Sequence, residues 1–260
     1  MFESMQTVLF HSTIFGPIHS RRLGVSLGVN LMPNDGKICT FDCRYCEAGF
    51  NAQGPGKTGM PTRDDVKRLL EEKLIEMSER GEQLDVITFS GNGEPTIHPD
   101  FPGVIDDTIR LRDKYYPKAG VSVLTNGTMI NRPEVAAALN RIDNNCIKID
   151  SAIPETVAAL DRPTQSSYSV ENVIARSAQM FASRCIVQTM MCRGEDIDNT
   201  TPAEIDALCK AYQRISPREI QLYSIDRQTP DKTLQRVSAE ELRDIGAEIH
   251  SRTGIPVQTV

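Results

Sequence analysis

Three cysteines fall within the segment Cys39-Thr-Phe-Asp-Cys43-Arg-Tyr-Cys46, a C-x3-C-x2-C spacing. Thiolates are soft ligands that select iron–sulfur clusters and zinc. Three of them can hold three corners of a cubane iron–sulfur cluster. The fourth iron then lacks a protein ligand, which is the logic of a catalytic metal site with an open position. Structural zinc wants four ligands, usually from paired C-x2-C knuckles. Here one such pair exists, and His19 and His98 show no knuckle spacing. An iron–sulfur cluster is therefore the first reading of the segment, with a zinc site and chance clustering as the alternatives.

The chain holds seven cysteines in 260 residues. An odd count and an N-terminus without the basic start and long apolar stretch of a signal peptide argue against a disulfide framework. A reduced, cytoplasmic setting is expected, where clustered cysteines bind metal. Cys146, Cys185, Cys192 and Cys209 read as small buried hydrophobes, with entry into the site as the alternative for Cys192 at its strand end. No apolar run approaches the roughly 20 residues that cross a bilayer, so no membrane partner is expected. A formal net charge of −6 and the lack of any Trp argue against a nucleic-acid-coating surface or an aromatic base-stacking platform.

The elements that must position the cysteines read as strands alternating with helices. Apolar, β-branched runs at 25–31, 85–91, 121–127, 146–151, 185–191 and 219–225 predict six strands. Helical patterns follow them. Thr62 and Asp65, Thr201 and Glu204, and Ser238 and Glu241 have capping-box spacing at three helix starts. This order implies a parallel sheet with right-handed crossovers. A curved, partly open barrel and an open doubly wound sheet both satisfy it. No linker or repeat divides the chain, so we read one domain: an N-terminal extension over 1–24, a β/α core over 25–250 and a tail over 251–260. Chemistry in such folds gathers at the carboxyl ends of strands. Those ends carry the cysteine cluster, Gly91-Asn-Gly93-Glu94-Pro95, Thr125-Asn126, Asp150-Ser151 and Ser224 through Arg227.

At these residues the chain resembles the radical S-adenosylmethionine (radical SAM) superfamily. Its signature is C-x3-C-x-aromatic-C, and Tyr45 supplies the aromatic. Gly91-Asn-Gly93-Glu94-Pro95-Thr96 is similar to the superfamily's GGEP motif, with Asn92 between the glycines as in relatives of wyosine-tRNA synthases. Leu124 to Thr128, Lys148-Ile-Asp-Ser151, residues 16–24 and residues 221–227 resemble the same group, so the likeness covers nearly the whole chain. No cysteine precedes Cys39, whereas wyosine synthases bind a second cluster through N-terminal cysteines; the wyosine reaction itself is not implied.

The resemblance implies a partial (β/α)6 barrel and a 4Fe–4S cluster held by Cys39, Cys43 and Cys46. It implies reductive cleavage of S-adenosylmethionine (SAM) to a 5′-deoxyadenosyl radical that abstracts hydrogen from a substrate. Gly91, Gly93, Glu94 and Pro95 would line the SAM amino group and Tyr45 the adenine. Asn126, Asp150, Ser151 and Gln188 would offer polar contacts to the cofactor; of Asp150 and Ser151, alternation turns only one inward. Glu94 reads alternatively as a turn carboxylate that caps the following segment. Arg21, Arg22 and Arg227 suit an anionic part of the substrate or the SAM carboxylate, or surface ion pairing. A ferredoxin or flavodoxin-like electron donor is implied. The substrate classes left open are RNA, a glycine of a partner protein, and a small molecule or peptide. The contrasting class is a non-catalytic protein that binds zinc or a redox cluster.

Overall fold

The computed structural model describes residues 8–20 and 22–260. Arg21 lies outside the described residues. The chain enters through β1 (Ile14–Ser20), which turns back antiparallel on β2 (Gly24–Val29). From β2 onward the strands run parallel and pair in chain order: β3 (Val86–Phe89), β4 (Gly120–Thr125), β5 (Asn144–Lys148), β6 (Ile186–Arg193) and β7 (Glu219–Ser224). The sheet curls into a half-barrel.

Strand alternation sets its two faces. Ile87, Phe89, Val121, Val123, Ile147, Ile149, Val187, Ile220 and Leu222 belong to the outer core, shared with the helices. The intervening positions, among them Ser26, Thr88, Ser122, Cys146, Lys148, Gln188, Gln221 and Tyr223, form the inner face. Apolar residues at helical spacing cover the outside. In α1 (Arg63–Glu79), Val66, Leu70, Leu74 and Met77 are buried, and Thr62 with Asp65 forms the full capping box expected. The remaining helices are α2 (Phe101–Tyr115), α3 (Pro133–Leu139), α4 (Pro154–Leu160), α5 (Val170–Phe181), α6 (Pro202–Ile215) and α7 (Ala239–Thr253).

Four features of the structure were not read from the sequence. The 1–24 extension contributes β1, whose side chains are mostly exposed and carry no alternation to read. Within the 251–260 tail, β9 (Val257–Thr259) extends the sheet in parallel beyond β7, too short a strand to leave a periodic signal. Between β7 and α7, β8 (Gln235–Arg236) pairs with β6. The box at Thr201 is half made. Thr201 caps Glu204 N, but the Glu204 carboxylate turns to Ser151 and Thr156 on the preceding β/α unit.

Candidate cluster and cofactor site

The cysteine loop leaves β2 at the carboxyl end of the sheet and is clamped from two sides. On one side it forms a parallel bridge with the turn after β3. Ile38 N donates to Asn92 O at 3.1 Å, and Glu94 N donates to Ile38 O at 3.1 Å. On the other side Asp42 N donates to Asp161 O and Arg44 N to Leu160 O, tying the loop to the end of α4. Lys37, buried, donates to Gly49 O at 2.7 Å and stands 3.9 Å from Asp42. Arg44 reaches Asp231 at 2.5 Å and Asp196 at 2.8 Å.

Gly93 is a glycine for a steric reason. Its φ is +143°, and a Cβ there would sit 1.8 Å from Ile38 O. Only a residue without Cβ lets the turn approach the loop backbone this closely. At Gly91 a Cβ would lie 2.5 Å from Asn30 Oδ1. Asn92, read from sequence only as a departure from the motif, is fully buried. Its amide donates to Pro33 O and Phe10 O and accepts from Phe10 N, pinning the N-terminal segment to the site.

Cys43 is buried; Cys39 and Cys46 are half-buried. Phe41 N donates to Cys39 Sγ at 3.4 Å, and Asn126 Nδ2 approaches it at 3.8 Å. Burial, followed by the nearby Glu94 carboxylate, pushes the Cys39 thiol up to about 12, and burial pushes Cys43 well above its ordinary value. Such thiols stay protonated until a metal displaces the proton, so loading releases protons. Among the described residues no three His, Cys, Asp or Glu side chains converge as a single metal ion would require. Thiolates that each bind a different iron of a cubane have no need to converge. His98 uses Nε2 toward Pro61 O and Nδ1 toward Asp100 N, which leaves it no nitrogen for a metal. Soft donors on one braced loop, with N–H groups aimed at a sulfur, fit an iron–sulfur cluster.

The other expected residues divide. Glu94 is buried, and its carboxylate accepts from Thr96 N, Thr96 Oγ1, Thr125 Oγ1 and Asn126 N at 2.5–3.1 Å. Burial raises its pKa against those four bonds. The carboxylate thus ties the end of β3 to the end of β4 and caps the short turn begun by Pro95, which is the turn-cap arrangement. Asn126 does not hold its amide toward open space. Its Oδ1 accepts from Thr128 N and Oγ1, and its Nδ2 donates to Thr40 Oγ1 at 2.9 Å, beside Cys39. Of the pair at the end of β5, Asp150 faces inward and Ser151 outward, where its hydroxyl donates to Glu204 at 2.6 Å. Gln188 faces the cavity and donates to Gln221 at 2.8 Å. Arg227 pairs with Glu47 at 2.7 Å on the exposed rim.

An ion network beside Cys43 was not singled out in the sequence. Lys148 lies 2.7 Å from Asp150 and also pairs with Asp161. Burial alone would lower its pKa, but the two carboxylates hold it well above the usual lysine range. The Tyr45 hydroxyl donates to Asp150, and Met190 N donates to the same carboxylate. The Lys148 ammonium also stands 5.3 Å from the Phe41 ring centroid and 5.4 Å from that of Tyr45. Period two places Lys148 and Asp150 on one face, which is the signal that was available. Asp161, at the end of α4, leaves no such signal.

A cavity of about 590 Å³ opens beside the loop. Tyr45, Cys46, Gly91, Gln188, Met190 and Tyr223 line it. Its size matches ordinary small-molecule sites.

Residues 34–199 match the model of the radical SAM superfamily. The chain belongs to that superfamily. It is 28% identical over 275 residues to a UPF0026 protein of Synechocystis, covering 94% of this chain and 95% of that protein. It is 27% identical over 231 residues to a protein named GTPase Obg in Brachyspira hyodysenteriae, covering 88% of this chain but only 32% of that one. The chain therefore spans about a third of the length of that relative. Among solved structures, a radical SAM methyltransferase from Sphaerobacter thermophilus superposes with a TM-score of 0.67 at 15% identity, over 90% of this chain and 65% of that one. That likeness is one of fold.

Proposed function

We propose that this protein is a radical SAM enzyme whose Cys39, Cys43 and Cys46 hold a 4Fe–4S cluster with one iron open to SAM. The observation that carries the reading is the double clamp on the cysteine loop. The Gly91–Pro95 turn fixes one side and the end of α4 fixes the other, directly over the 590 Å³ cavity. A cluster of this kind supplies a strongly reducing electron, reaching about −700 mV, for cleavage of the SAM sulfonium to a 5′-deoxyadenosyl radical.

The chain's own residues bind, orient and exclude water. Gly91 borders the cavity with backbone alone, so a ligand can approach it closely. Tyr45, fixed through its hydroxyl to Asp150, presents its ring beside Cys46. Glu94, Thr125 and Asn126 hold the ends of β3 and β4 together, so the motif turn keeps its position while ligand binds. Lys148, held between Asp150 and Asp161, braces the end of β5 against the end of α4 beside Cys43. A ferredoxin or flavodoxin-like protein is proposed as electron donor.

Anaerobic reconstitution tests the reading. About four irons and four sulfides per chain, with 5′-deoxyadenosine formed from SAM and dithionite, are expected. Stoichiometric zinc with no such product would contradict it.

A further inference from the structure

The cavity also holds a cation that makes no ion pair among the described residues. Arg22 sits in the β1–β2 turn, two residues before β2, with its backbone at the amino ends of the strands. It also borders residues 144, 186 and 219, where β5, β6 and β7 begin. Its side chain enters the half-barrel and stacks over Tyr223 on the inner face of β7, Cζ standing 4.8 Å from the ring centroid. One guanidinium nitrogen, Nη1, is buried and has no hydrogen-bond partner. Among the described residues no carboxylate lies within ion-pairing distance of Arg22. A buried polar donor without a partner is costly, on the order of 1–3 kcal/mol and more when charged. Such a group points to a partner that arrives from outside.

The surroundings select the kind of partner. The lining near Arg22 is neutral and polar: Ser20, Ser26, Thr88 and Gln188. The carboxylates that line the same cavity, Glu47 and Asp226, follow the cysteine loop and β7. Glu47 is paired to Arg227 there. The Tyr223 ring packs against the guanidinium and leaves Nη1 unpaired, and a guanidinium presents paired N–H donors to an oxyanion. Oxyanions that offer two oxygens, carboxylate and phosphate, match such donors. The two edges of the sheet also meet across this cavity. Ile18 and His19 of β1 line one side and Val260, just past β9, the other, so a ligand can enter between them.

We propose that Arg22 is the anchor for an oxyanion, a carboxylate or phosphate, carried by the substrate in this cavity. SAM is the competing source of a carboxylate. On the proposed function its carboxylate is held at the open iron, beside Cys46, which leaves Arg22 to the substrate. The inference rests on that reading only for which molecule supplies the anion; the anion site itself stands on Arg22.

The test uses reconstituted protein labelled with 15N-arginine and titrated with inorganic phosphate, and separately acetate, against chloride at constant ionic strength. The Arg22 side-chain resonance is expected to shift saturably, and to do so equally in protein saturated with SAM. Arg22→Gln should weaken phosphate binding by about tenfold or more, and Arg22→Lys, which keeps the charge and loses the fork, by less. Near-ultraviolet circular dichroism reports whether each variant is folded, and the wild-type resonance reads the site without any variant. No saturable shift, or equal binding by folded Arg22→Gln, overturns the proposal. Loss of the phosphate shift on adding SAM assigns the anion to SAM and also overturns it. SAM binding is measured in the same samples. A phosphate site without SAM binding contradicts the proposed function alone, and SAM binding without a phosphate site contradicts this inference alone.

Discussion

Replacing Gly93 by Ala should loosen the cysteine loop more than any other single methyl group at the site. The added Cβ would lie 1.8 Å from Ile38 O, a backbone atom that no side-chain rotation can move away. A φ of +143° adds strain that side chains rarely tolerate, on the order of 1–3 kcal/mol. Relieving the clash separates the turn from the loop and breaks the Ile38 N to Asn92 O and Glu94 N to Ile38 O bonds, each worth about 1 kcal/mol. The sum is about 3–5 kcal/mol. Gly59→Ala is the control: its φ is +71° but nothing lies within 4 Å of the new Cβ, so only the left-handed backbone term of about 1–2 kcal/mol applies. Urea unfolding of the metal-free protein measures both, and iron per chain after reconstitution measures the loop. Gly93→Ala should lose most of its iron while Gly59→Ala retains it. A Gly93→Ala protein within about 1 kcal/mol of wild type and with full iron would refute the clamp.

Three further predictions concern buried groups. Glu94→Gln turns an amide donor toward groups that are themselves donors and should destabilise by about 2–4 kcal/mol in urea unfolding; an unchanged midpoint would remove the carboxylate's role as a tie between β3 and β4. Lys148→Met leaves Asp150 and Asp161 buried without their cation and should cost about 3–5 kcal/mol, with part recovered in Lys148→Met/Asp161→Asn. Equal instability of the single and double variants would count against the ion network. In metal-free protein the Cys39 thiol, raised to about 12 by burial, is almost wholly protonated at pH 8. Its folded value lies above that of an unfolded thiol, so the thiolate is withheld as pH rises through the ordinary thiol range and emerges only near 12. Iodoacetamide should modify it at least about a hundredfold more slowly than a free thiol, the rate rising about tenfold per pH unit; labelling at the free-thiol rate would contradict that burial.

The cysteine spacing and the strand-end polar residues were legible because both are local signals. The apolar, β-branched runs mark β3 through β7, and the C-x3-C-x-aromatic-C segment falls on the loop that β2 delivers to the sheet's carboxyl end. What the sequence hid was choice among partners. Glu204 has the spacing of a cap residue, yet its carboxylate is taken by Ser151 and Thr156, groups more than forty residues away in sequence. Asn126 has the chemistry of a ligand-binding amide, and Thr40 and Thr128 occupy it instead. Asp161 joins Lys148 only because α4 ends beside β5. The arginines separate for the same reason: Arg227 meets Glu47 on the rim, whereas Arg22 folds under the sheet onto Tyr223, a contact that chain order does not announce.

The central claim is that three thiols hold a cluster whose fourth iron is left for SAM. Electron paramagnetic resonance of the dithionite-reduced, reconstituted protein tests it most directly, with and without SAM carrying 15N in its amino group and 17O in its carboxylate. The account predicts that SAM changes the cluster spectrum and that nuclear couplings from both labels are detected. It also predicts that Cys43→Ala abolishes the cluster signal. A reduced cluster whose spectrum is unchanged by saturating SAM, with no coupling to either label, would contradict the claim.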